Sequence, residues 1–152
     1  MMKATGIVRR IDDLGRIVIP KEIRRTLHIR ESDPLEIFTD REGQVILKKY
    51  SPIGEMTTFA KQYAESLAQV SGHATLIADR GQFIAVSGGC KQLLNKSVSR
   101  QLEEKVNNRE TVIAAKGDRN YVNIAEDIAV DYAWQLITPI ICEGDIIGSV
   151  IL

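Results

Sequence analysis

Between Thr5 and Tyr50 the chain is cut into short runs that a single copy has no means of burying. Residues 5–11 alternate, with Ile7, Arg9 and Ile11 on one face and Val8 and Arg10 on the other. Asp12-Asp13-Leu14-Gly15 is a turn cluster in which Gly15 supplies a positive φ. Residues 16–19 form a second, β-branched strand. Pro20 suits the first position of a helix, where its missing N–H is no loss. That helix is expected to run to about residue 29, with Ile23 and Leu27 stacked at i, i+4 on its buried side. Glu31-Ser32-Asp33-Pro34 ends it. Residues 35–39 and 44–49 alternate again around Asp40-Arg41-Glu42-Gly43, a hairpin turn. Short strands and one helix bury too little apolar surface to stand alone. The two cysteines, Cys90 and Cys142, make no disulfide framework and read as small buried hydrophobes in a reducing compartment. Oligomerisation is the remaining remedy. The expected form is an intertwined dimer in which strands of two chains complete one β-barrel.

Tyr50-Ser51-Pro52-Ile53-Gly54 marks a boundary, dividing the chain into residues 1–52 and 53–152. A helix is expected over about 55–70. Its apolar stripe comprises Met56, Phe59 or Ala60, Tyr63, Leu67 and Val70. The stripe fits packing on the domain's own sheet and a coiled-coil contact with a second subunit equally well. A hairpin follows, 74–78 and 82–86, turning at Asp79-Arg80-Gly81. Ser97 reads as the N-cap of a helix through about residue 108, with Val98, Leu102 and Val106 at four-residue steps. Strands are expected at 111–114 and 121–124, then a final hairpin, 134–141 and 146–152, around Cys142-Glu143-Gly144-Asp145. The second part is thus an α+β domain on an antiparallel sheet, and the sequence stops inside an apolar strand.

Charge is distributed unevenly along a chain of zero net charge. Residues 1–50 carry eleven basic and eight acidic side chains, a net +3, and residues 1–30 alone carry +5. Residues 51–152 carry nine basic and twelve acidic, a net −3. A basic front points to an anionic partner. Arg9 and Arg10 end the first strand, Arg16 opens the second, and Arg24 and Arg25 sit on the helix; Lys3 precedes them. Guanidinium groups fork onto phosphates and guanine edges, and a dimer spreads two such sets along a duplex. A solvated charged face is the commoner fate of surface arginines. Clustering around one turn and one helix weighs against it here.

The stretch from Thr5 through Leu27, TGIVRRIDDLGRIVIPKEIRRTL, closely resembles the AbrB family of swapped-hairpin transition-state regulators, and the likeness continues through Leu35-Glu36-Ile37 and Val45–Tyr50. The resemblance implies a dimeric swapped-hairpin β-barrel that binds double-stranded DNA, with contacts on Arg9, Arg16, Arg24 and Arg25. The remainder resembles the sporulation regulators that join such a domain to a GAF-like domain. The supporting stretches are Ile84–Gly88, Leu94–Ser97, Pro139-Ile140 and Gly144–Gly148. This implies activation and repression of sporulation-stage genes, a ligand-sensing or oligomerising second domain, and a tetramer formed through that domain. The chain departs from the GAF pattern in lacking a C-terminal helix.

An antitoxin of the same fold is the alternative, but such proteins follow the barrel with a disordered tail, whereas residues 55–152 are rich in strand and helix patterns. An enzyme is the third class. There is no GxSxG, P-loop or metal triad, and His28 and His73 sit alone. No catalytic residue, metal or cofactor is expected. The chain has no apolar stretch of roughly 18 residues and no signal-peptide pattern, so a cytoplasmic protein with no membrane partner is expected.

Overall fold

A computed structural model describes residues 5–27 and 29–152, in two compact units that meet between Tyr50 and Ser51.

In the first unit residues 5–20 are extended but form no ladder, so the strands expected at 5–11 and 16–19 do not pair as strands within one chain. A strand is defined by a hydrogen-bonded neighbour, and the turn between them supplies two backbone bonds: Asp12 N to Arg16 O and Gly15 N to Asp12 O, both 3.0 Å. Pro20, buried at φ −57, leads into α1, Lys21–Thr26. This helix stops earlier than residue 29. Leu27 N bonds back to Ile23 O and Ile29 N to Arg24 O, and Ser32 turns left-handed. β1, Leu35–Thr39, pairs antiparallel with β2, Val45–Lys49, in register Leu35↔Lys49 to Thr39↔Val45. Asp40 Oδ1 closes their turn by accepting from the N–H groups of Glu42 and Gln44.

The unit has no core of its own. Among its described residues Pro20 alone is buried. Leu27, expected on a buried face with Ile23, is exposed, and Ile23 is half-buried. Val18, Ile37 and Val45 are each about two-thirds exposed or more (71, 67 and 65%).

The second unit is an antiparallel sheet of order β4-β3-β7-β6-β5, made of β3 Thr75–Ala78, β4 Phe83–Ser87, β5 Val112–Ala115, β6 Trp134–Cys142 and β7 Asp145–Ile151. Two short helical turns flank it, α2 at Pro52–Glu55 and a 3-10 turn at Lys91–Leu93. Alternation sends Leu76, Ile137 and Ile151 to one face, where they pack with Phe83, Leu93, Leu102 and Val106 under α4, Arg100–Asn107. The other face carries α3, Thr57–Ser71, which lies on β3 and β4. Ala60 and Ala64 are its buried residues, seated on Ile77, Ile84 and Ala85. Small side chains let the helix approach closely, and they leave the larger stripe outward. Met56, Phe59, Tyr63, Leu67 and Val70 are all exposed. Gly72 ends α3 in the left-handed conformation that a C-terminal cap requires. Beyond α3 on the same face, Ile113 and Trp134 stay open at 68 and 66% exposure.

Two expectations fail here for one reason. The N-cap of α4 is Ser99, not Ser97, and residues 121–124 form no strand. Ser99 Oγ accepts from Leu102 N (3.0 Å) and donates to the Asn123 carbonyl, and Ser99 N donates to Ile124 O (2.9 Å). The buried Gln135 amide meets both backbone groups of Val122, donating to its carbonyl at 3.0 Å and accepting from its N–H at 2.7 Å. Side chains and a helix terminus thus take the bonds a ladder would have used. Ser97 instead bridges Gln82.

Candidate nucleic-acid interface

The basic side chains singled out in the sequence lie on the first unit. Lys3 is outside the described residues, as is His28. Arg9 and Arg10 are exposed on the extended segment before the turn, Arg16 is exposed just after it, and on α1 Arg25 is exposed and Arg24 half-buried. Among the described residues no hydrogen bond or ion pair occupies the side chains of Arg9, Arg10, Arg24 or Arg25. Uncompensated guanidinium groups on an exposed surface keep their full capacity for phosphate and base acceptors.

Arg16 differs. Its Nε donates to Asp12 Oδ2 at 2.8 Å, and its backbone N–H donates to Asp12 Oδ1 at 2.8 Å. Leu14 N reaches the same Oδ1 at 3.0 Å. The backbone N–H of Arg16, then its side chain, hold the Asp12 carboxyl below the usual carboxylate range. Asp12 was not singled out from sequence, where it reads as a turn former. The signal available was its spacing, since an Asp four residues before an Arg across a Gly turn can accept from backbone and side chain together. Asp33 has a comparable part in the hairpin, accepting from Arg30 N at 2.9 Å and lying 3.6 Å from Lys49 Nζ.

The described residues hold no group of three His, Cys, Asp or Glu able to bind a metal, and no helix long and apolar enough to cross a membrane.

Comparison with known proteins matches both parts of the chain. Residues 55–152 match the family described as Stage V sporulation protein T C-terminal, transcription factor. Residues 8–55 match the family described as Antidote-toxin recognition MazE, bacterial antitoxin. The chain is 56% identical over 152 residues to stage V sporulation protein T of Bacillus subtilis, covering 99% of this chain and 84% of that protein. It is 65% identical over 51 residues to the transition state regulatory protein AbrB of the same organism, covering 34% of this chain and 52% of that one. Among solved structures, the solution structure of the N-domain of the transcription factor AbrB is 63% identical, covers 34% of this chain and 98% of its own, and superposes with a TM-score of 0.31. An arginine-bearing AbrB-like unit followed by this α+β unit defines a DNA-binding transcription regulator. The chain belongs to the stage V sporulation protein T family of transcription factors.

Proposed function

We propose that two copies of the first unit complete one swapped-hairpin barrel and bind double-stranded DNA through Arg9, Arg10, Arg16, Arg24 and Arg25, and through Lys3, which lies outside the described residues. The observation that carries this reading is the coincidence of exposed arginines, Arg9, Arg10 and Arg25 among them with no side-chain partner, with a unit whose apolar side chains are left uncovered in one chain. Dimerisation supplies the missing core and doubles the cationic surface. The antitoxin reading draws on the match over residues 8–55. Against it, residues 55–152 form a packed sheet with helices on both faces, not a tail that folds on a toxin.

The second unit is read as GAF-like, its five-stranded antiparallel sheet between α3 and α4 supporting that assignment. Its role is to pair DNA-binding dimers into a tetramer, or to answer to a small ligand, in the cytoplasm. Two linked dimers gain avidity on sites that both can reach. The test is selection of genomic fragments by the purified chain, followed by sequencing. Fragments sharing a common motif, with selection lost in Arg9→Ala/Arg16→Ala/Arg25→Ala, are expected. Selection by the triple variant equal to that of the parent overturns the assignment of this face.

A further inference from the structure

We propose that Asp12 is a positioning residue for sequence readout, acting through Arg16; the proposal rests on the DNA-binding reading above. Three groups of Arg16 converge on this one residue. Arg16 N donates to Oδ1 (2.8 Å), Nε donates to Oδ2 (2.8 Å), and the Arg16 carbonyl accepts from Asp12 N (3.0 Å). Gly15, at φ +78, lets the chain reverse tightly enough for all three, its own N–H bonding the Asp12 carbonyl at 3.0 Å. Arg16 is therefore held at both its backbone and the root of its guanidinium, although its side chain is 69% exposed.

The chemistry of that grip matters. The bond to Asp12 is made through Nε, so it does not consume the edge formed by the two Nη groups. A two-pronged donor edge suits guanine O6 and N7, or a phosphate. An arginine already ordered at its root loses less rotamer freedom when it docks. Asp12 also has an opposing effect, since a carboxylate repels phosphates. It is exposed, so solvent and salt screen that repulsion. The two effects have opposite signs, which makes them separable. Loss of the charge alone strengthens binding to every duplex, whereas loss of the grip weakens binding to preferred duplexes.

Asp12→Asn separates grip from turn. The amide keeps an oxygen for the N–H groups of Leu14 and Arg16, but sets an NH₂ donor against Nε, itself a donor. The experiment uses the full chain and two duplexes: the one most enriched by it from a random-sequence library, and a scrambled duplex of equal length. Arg16→Ala is expected to lose about 5- to 150-fold on the enriched duplex. Asp12→Asn is expected to lose part of that, with binding to the scrambled duplex unchanged or raised. Asp12→Asn added to Arg16→Ala is expected to lose nothing more. A double variant that loses the full Asp12→Asn factor again shows that Asp12 serves the turn, and overturns the proposal. So does Asp12→Asn binding the enriched duplex as well as the parent while Arg16→Ala does not. If Arg16→Ala itself binds like the parent, the DNA reading fails and the proposal with it. Should Asp12→Asn fail to fold, Asp12→Glu decides. It keeps the charge but moves the carboxylate one methylene away from Arg16 N and Nε, so enriched-duplex affinity that matches the parent overturns the proposal, and a loss that disappears when Arg16→Ala is also present supports it.

Discussion

The Cβ that Gly148 lacks would stand on the carbonyl oxygen of Ala78, where β7 runs against β3. The carbonyl carbon of Ala78 and the Cα of Asp79 lie within 3.4 Å of the same point. All of these are backbone atoms, so no side chain can move aside. Gly148→Ala therefore forces β7 and β3 apart, and a cost at or above about 1–3 kcal/mol is expected, the range for overpacked cores. Urea unfolding of the full chain checks this. At Gly144, in the tip of the β6–β7 hairpin, nothing lies within 4 Å, and a side chain that tolerates left-handed backbone meets no obstacle. Gly144→Asn should cost clearly less; equal losses at the two positions would show that the contact with Ala78 is not what excludes a side chain.

Ser99 joins the N-terminus of α4 to the segment at Asn123. Ser99→Ala removes the acceptor of Leu102 N and the donor to the Asn123 carbonyl together. The expected loss is about 0.5–2 kcal/mol, toward the upper end because the residue is buried and serves two elements. Ser99→Asp keeps a capping acceptor but not the donor, so its loss measures the second bond.

DNA affinity should be strongly salt-dependent. If a dimer neutralises about 6–10 phosphates, binding falls about 10³- to 10⁵-fold between about 50 and 200 mM salt. Replacing an arginine that contacts phosphate alone lowers the slope by about one, and replacing one that reads a base changes sequence preference instead. Arg119, exposed in the second unit, is the control, and Arg119→Ala should leave a short duplex bound as before. Arg109 is unsuitable for that purpose, because its Nη2 donates to the Gly144 carbonyl at 2.6 Å.

A fragment of residues 1–50 should sediment as a dimer, with an unfolding midpoint that rises with protein concentration. The exposure of Val18, Ile37 and Val45 in a single copy is the reason. A folded monomer would contradict the shared barrel.

Tyr132 gives the second unit an alkaline limit. Burial, then the hydrogen bond shared with Cys90 Sγ, raises its phenol well above the ordinary 10.0. A group whose folded value lies above its unfolded value stabilises fully below the unfolded one, and loses that contribution as pH rises through the folded one. Stability should hold up to about pH 10 and fall beyond it. Tyr132→Phe should flatten the fall, as urea midpoints on either side of that pH would show.

Much of this was legible in the residues. Asp79-Arg80-Gly81 and Glu143-Gly144 announced their hairpins, because an Asp that bonds its own turn and a residue free at positive φ leave few alternatives. The arginines stood out because charge clustering needs no tertiary knowledge. Pairing was not legible. Residues 5–11 and 16–19 have the pattern of strands, but a pattern does not say which chain supplies the neighbour. Residues 121–124 failed for the converse reason: Gln135 and Ser99, far off in sequence, took the backbone bonds of Val122 and Asn123. The α3 stripe was ambiguous because side-chain size favours Phe59 and Tyr63 over Ala60 and Ala64, while close packing on the sheet selects the alanines.

Trp134, open on β6 beside Ile113 of the edge strand β5, is the one tryptophan in the chain. The indole emission of the whole protein is consequently a local signal, unmixed with any other. In the uncovered state it lies at long wavelength and is readily quenched by acrylamide. Whatever settles over β5 and β6, whether another copy or a longer stretch of polypeptide, must shift that emission to the blue and shield it. The fold thus carries its own optical marker for the occupancy of that edge, with no dye attached and no residue changed.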